Sequence, residues 1–137
     1  MAALHILLAD DDPDDVLMIA EAIKEVQHDV QIVTANNGEE ALELLNNHPA
    51  LKVQVCLVIL DLNMPKMNGT QTLMALKSDL RLAKIPVIIY STSVNKLEKE
   101  KCLLLGAHSY ITKPLTQKEN IRTAAFFIEL CKVRSLA

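Results

Sequence analysis

This 137-residue sequence predicts an α/β fold, a three-layer, doubly wound sheet of five parallel strands with helices on both faces. Three observations predict it. Five short apolar runs, several rich in Ile and Val, recur along the chain without the polar alternation of a half-exposed strand. Stretches with helical periodicity lie between them, each placing apolar residues three and four apart. Turn-formers mark the junctions, so the chain reads as β-α five times over, the (βα)5 pattern.

In order, strands are expected at 4–9, 30–34, 53–60, 86–91 and, more weakly, 109–112. Helices are expected at 14–27, 39–47, 70–78, 96–105 and 117–133. In the first helix Val16, Ile19, Ala20, Ile23 and Val26 form one apolar stripe, with Glu21, Lys24 and Glu25 on or near the other face. Asn36-Asn37-Gly38, Asn46-Asn47-His48-Pro49 and Asn68-Gly69 are turn-formers, and Gly106 stands where a C-cap belongs. The last helix carries Ala125, Phe126, Ile128, Leu130 and Val133, more apolar residues than one narrow core stripe holds. A longer packed helix and a partner or dimer surface are both readings of that excess.

Length and composition bound the answer. Half the residues are hydrophobic, enough for one core, and residues 1–137 read as a single domain without repeat or linker. With 14 basic against 17 acidic residues and few aromatics, no nucleic-acid-binding stripe is present. The N-terminal segment "MAALHILLA" lacks a basic leader and meets acid too soon for a signal peptide or a membrane span. Cys56, Cys102 and Cys131 are odd in number and form no C-x-x-C pair, so Cys56 is read as a packing residue and a reducing cytoplasm as the expected location.

In sheets of this class, chemistry collects beyond the carboxyl ends of the strands. Those ends carry Asp10-Asp11, Asp61, Ser91-Thr92 and Thr112-Lys113-Pro114. Crowded carboxylates are relieved by protonation or by a divalent cation, and oxygen-only ligands favour Mg²⁺ over zinc. Asp61, ending "LVILD", is placed to act as a nucleophile toward a phosphodonor, with Lys113 and Ser91 meeting the phosphoryl oxygens. In "LADDDPDDVL" the remaining acids have other work: Asp12 suits the cap of the first helix, Pro13 its first position, and Asp14 and Asp15 complement the helix dipole.

With those residues in order, the chain resembles a receiver domain of two-component response regulators over nearly its whole length. The resemblance implies a flavodoxin-like, CheY-like sheet of order 2-1-3-4-5. It implies that Asp61 in "DLNMPKMNG" is the phosphoacceptor and that Asp11 and Asp61 bind Mg²⁺, with Mn²⁺ as a substitute. The backbone carbonyl of Asn63 supplies another oxygen, and Asp10 acts mostly through water. It further implies Ser91 in "PVIIYSTS" and Lys113 in "YITKP" as phosphoryl-binding residues, Tyr110 as the switch aromatic and a cis peptide before Pro114. "LKSDLRLAKIPVIIYSTS" and the polar segment 46–52 are similar to the small stand-alone receivers encoded beside bacterial phytochromes. The partners implied are a sensor histidine kinase, phytochrome-type in that subfamily, or a histidine phosphotransfer protein; the apolar excess of the last helix, not the resemblance, adds a homodimer as one reading. Thr92 departs from the small residue the family often has after the Ser or Thr.

Taken singly, these residues have plainer readings. An acidic cluster is more often a helix start, Ser91 or Ser93 a helix cap, Lys113 a surface lysine and Tyr110 a half-buried strand aromatic. Their joint placement at successive strand ends favours a phosphoacceptor over an enzyme. The alternative is a receiver-fold interaction module that works without phosphorylation. A hydrolase with an aspartyl-phosphate intermediate lacks a second aspartate two residues after Asp61, and flavin binding lacks a phosphate loop after the first strand.

Overall fold

The computed structural model describes residues 4–136, with side chains described for all but 51–53, 135 and 136. Five strands, β1 (His5–Ala9), β2 (Gln31–Ala35), β3 (Val55–Leu60), β4 (Val87–Ser91) and β5 (Ser109–Thr112), pair in parallel in the order β2-β1-β3-β4-β5. This is the expected 2-1-3-4-5 order. β3 is the middle strand and is buried at every position, which is why its sequence is a continuous apolar run.

Among the described residues six helices cover the sheet: α1 (Pro13–Val26), α2 (Gly38–Asn47), α3 (Pro49–Gln54), α4 (Gly69–Ser78), α5 (Lys96–Leu104) and α6 (Gln117–Leu136). Side chains alternate across β1, so Ile6 and Leu8 join one core while Leu7 and Ala9 join the other. The first core is closed by Ile19, Ala22 and Ile23 of α1 and Ala124, Phe127 and Ile128 of α6. The second is closed by α2, α4 and α5 through Ala41, Leu45, Leu73, Leu76 and Cys102. Among the described residues, no helix is long and apolar enough to cross a membrane.

Three local expectations need correction. Segment 46–52 is not simply a polar connection: α3 begins at Pro49, whose fixed φ suits a first helical position, and runs directly into β3. The strand starts at Val55 rather than residue 53 because Val55 is the first residue to find a partner, His5 of β1. Second, Cys56 is not a free packing residue: it is bonded to Cys131 of α6, with the Cα atoms 4.9 Å apart, and only Cys102 is free. The register slips at this point, His5 facing Val55 but Ile6 facing Leu57, so the consecutive residues Cys56 and Leu57 both join the α6 side. That bulge brings Cys56 against α6 and removes the cysteine argument for a reducing compartment. Third, α6 extends to Leu136, beyond the expected end at 133.

The caps were more legible. The Asp12 side chain accepts from the Asp14 and Asp15 N–H groups with Pro13 at the first position, while Asn68 forms a capping box with Gln71. Gly106 follows α5 at φ 107, a conformation a side chain disfavours. Its N–H donates to Leu103 and that of Ala107 to Cys102, closing the helix end.

Candidate functional site

The parallel register delivers charged residues to one edge of the sheet. Asp10 leaves β1 with its N–H donating to Ala35 O at 3.0 Å, and Asp61 leaves β3 with its N–H donating to Ala9 O at 3.0 Å. Lys113 leaves β5 with its N–H donating to Ser91 O at 2.8 Å, so at this edge the ends of β2, β1 and β3 are tied to one another and that of β5 is tied to β4. Behind Asp61 the chain folds back tightly: Gly69 N–H donates to Leu62 O at 3.0 Å, and a Cβ on Gly69 would lie 2.3 Å from the carbonyl oxygen of Asp61. Only glycine fits that approach.

Asp10, Asp11 and Asp61 each offer a carboxylate oxygen, and these oxygens lie within 4.8 Å of one another. Asp10 and Asp61 are buried and Asp11 is exposed at the mouth. Both oxygens of Asp10 are engaged, Oδ1 accepting from Asp12 N–H at 2.9 Å and Oδ2 from Lys113 Nζ at 2.8 Å. The Lys113 ammonium also donates to Asp15 at 2.7 Å and stands 3.6 Å from Asp61, with its side chain only 8% exposed. It lies 5.9 Å from the centre of the Tyr90 ring, within cation–π range.

The electrostatics follow from this crowding. Burial pushes the Asp61 carboxyl up from 3.8 to about 6. Lys113 opposes that, Asp10 adds to it, and the N–H groups of Leu62 and Asn63 lower it again. Burial alone would lower the Lys113 ammonium, but its bonds to Asp10 and Asp15 and the charge of Asp61 raise it above the ordinary lysine range. Burial also pushes the Tyr90 phenol up to about 12, so it is a neutral donor, with its hydroxyl donating a hydrogen bond to Asn120 Oδ1 at 3.2 Å. A set of three carboxylates with no nitrogen or sulfur donor fits a hard divalent cation such as Mg²⁺.

The other expected residues surround this centre. Ser91 is fully buried at the end of β4, and its Oγ accepts from Ser93 N–H at 3.2 Å. Neither Ser91 nor Ser93 caps α5: Asn95 does, accepting from Glu98 N–H, because the chain runs on before turning into the helix. Tyr110 is half-buried on β5 and its hydroxyl donates to Ser93 O at 2.8 Å, pinning the loop after β4. Asn63 is exposed and meets Asp61 through its backbone N–H, while Thr92 is exposed beside Ser91. Pro114 is not preceded by a cis bond: among the described residues every peptide bond is trans. The trans form is the intrinsically preferred one, and Lys113 reaches the acids with it.

Three residues of the site were not singled out as part of it. Sequence alone makes Asp15 a helix-dipole charge, since its partner Lys113 lies 98 positions away. Tyr90 sits inside an apolar strand run, and Asn120 inside a polar helical turn; only the fold brings them together.

Comparison with known proteins is consistent with this geometry. The family model of the response regulator receiver domain matches residues 6–125. The two-component response regulator ORR5 of Oryza sativa subsp. japonica is 34% identical over 113 residues, covering 82% of this chain and 80% of the relative. The crystal structure of the phosphorylated cyanobacterial phytochrome response regulator RcpA is similar with TM-score 0.84 and 32% identity, over 93% of each chain. The Mn²⁺-bound form of response regulator Rcp1 is similar with TM-score 0.78 and 26% identity, over 90% of this chain and 91% of that one.

Proposed function

We propose a function from the premise that the chain belongs to the response regulator receiver domain family: Asp61 accepts a phosphoryl group from a phosphohistidine of a partner protein in a Mg²⁺-dependent reaction. The observation that carries this reading is the meeting of Asp10, Asp11 and Asp61 with one buried ammonium, Lys113, at the carboxyl edge of the sheet. A carboxylate oxygen of Asp61 attacks phosphorus. The new O–P bond forms as the N–P bond breaks, and the electron pair leaves with the imidazole nitrogen. Asp10, Asp11 and Asp61 would hold Mg²⁺, which would supply charge neutralisation for the transferred group. Lys113, already 3.6 Å from Asp61, supplies the second positive charge.

The signal leaves through the loop after β4. Ser91 Oγ accepts from the Ser93 N–H, so its own proton is left to donate to a phosphoryl oxygen, and a turn of Ser91 toward that oxygen pulls on the loop that Tyr110 holds at Ser93 O. A two-state loop of this kind biases the surface near α5 and β5. Partners of the matching chemistry are a sensor histidine kinase, a histidine phosphotransfer protein and, through exposed Phe126 and Val133 on α6, a second copy of the chain.

Incubation with Mg²⁺ and phosphoramidate, followed by intact mass, tests the reading. The expected result is one added phosphoryl group in the wild type and none after chelation. No label from phosphoramidate or from a phosphorylated kinase would leave the phosphorylation-independent interaction module as the function.

A further inference from the structure

We infer that Asp15 is a positioning residue that holds Lys113 back from Asp61 and thereby slows phosphoryl transfer; this rests on Asp61 being the acceptor. An ammonium has three protons to donate. Two are committed, to Asp10 at 2.8 Å and to Asp15 at 2.7 Å, while Asp61 is left at 3.6 Å, beyond hydrogen-bond range. Asp10 is buried at the strand end and can hardly yield, whereas the Asp15 side chain is 31% exposed in the first turn of α1. Asp15 is therefore the partner that Lys113 can give up.

Charge points the same way. The edge carries Asp10, Asp11, Asp15 and Asp61 against one lysine, and Asp15 lies outside the trio that could share a cation. An incoming dianionic phosphoryl group is repelled by Asp15 and competes with it for the same ammonium. Helix-dipole complementation does not require Asp15, because Asp14 stands exposed in the same turn. Asp14 is thus a built-in control, with equal charge in the same helical turn but no contact to Lys113 among the described interactions.

The experiment compares the wild type, Asp15→Asn, Asp15→Glu and Asp14→Asn in the full chain. Phosphoramidate labelling is followed by intact mass at saturating Mg²⁺, and Mg²⁺ affinity is measured by calorimetry without a phosphodonor. Asp15→Asn is expected to label about three- to tenfold faster, as loss of one charge-assisted bond and one repulsive charge implies. The same variant should bind Mg²⁺ more weakly, since one negative charge is gone and Lys113 presses harder on Asp10 and Asp61. A merely structural loss would slow labelling and weaken binding together, so the opposite signs are diagnostic. Asp15→Glu should restore the wild-type rate and Asp14→Asn should leave it unchanged. An unchanged or slower rate in Asp15→Asn, or an equal acceleration in Asp14→Asn, would overturn the inference while the Asp61 reading stands. No label in the wild type would overturn both.

Discussion

Helices α1 and α6 on one face of the sheet and α5 on the other are anchored very differently. On one side α1 buries Ile19, Ala22 and Ile23, and α6 buries Ala124, Phe127 and Ile128 and is bonded through Cys131 to the middle strand. On the other side α5 buries only Cys102 and leaves Leu97 and Leu104 at 75% and 88% exposure. The anchored side presents the fixed charges, through Asp12, which holds the Asp10 loop, and Asp15, which holds Lys113. The lightly anchored helix follows Ser91 and the loop that Tyr110 pins. Rigid elements are suited to hold a reacting constellation and weakly packed ones to respond to it.

The contrast can be broken by mutation. Phe127→Ala removes a fully buried ring that meets Tyr90 edge-on at 5.8 Å, and should cost about 3–5 kcal/mol in urea unfolding. A loss under about 1 kcal/mol would mean that the α6 side is not the anchor. Opening the Cys56–Cys131 link, which closes a separation of 75 residues, should cost about 2–4 kcal/mol. Cys131→Ala in the same denaturation series measures that, and an unchanged midpoint would show that the bond contributes nothing.

Asp61→Asn should act in the opposite direction. Because the folded carboxyl titrates near 6 rather than 3.8, the folded state binds more protons than the unfolded chain between those values. Stability of the metal-free protein therefore falls as pH rises from about 4 to about 6, by roughly 1.5–3 kcal/mol at most. The asparagine variant should lack that fall and be the more stable protein at pH 7, whereas parallel pH profiles would contradict the burial cost assigned to the Asp61 carboxylate. The smallest effect belongs to α5, where Leu97→Gln and Leu104→Gln should each change stability by no more than about 0.5 kcal/mol.

How much of this was legible in sequence depended on whether the cause was local. β1, β3 and β4 were visible because strands buried on both faces must be apolar throughout, and Asp10, Asp61, Ser91 and Lys113 because they stand at strand ends. The caps at Asp12 and Gly106 were visible because each is set by its own neighbours. Segment 46–52 hid a helix because its single turn and a half is too short to show a period. The cysteine bond depends on a bulge that turns Cys56 toward α6, which no spacing rule reports. Asp15 looked like one more helix-start acid, and only the return of β5 beside β4 puts Lys113 against it.

The central claim is that the acids and the ammonium at this edge exist to phosphorylate Asp61. The most direct measurement is to label the protein with phosphoramidate and Mg²⁺, reduce the acyl phosphate with borohydride and map the altered residue by peptide mass. The account predicts homoserine at position 61 in the wild type and no conversion anywhere in Asp61→Asn. Conversion at Asp10, Asp11 or Asp15, or a label that survives Asp61→Asn, would contradict it.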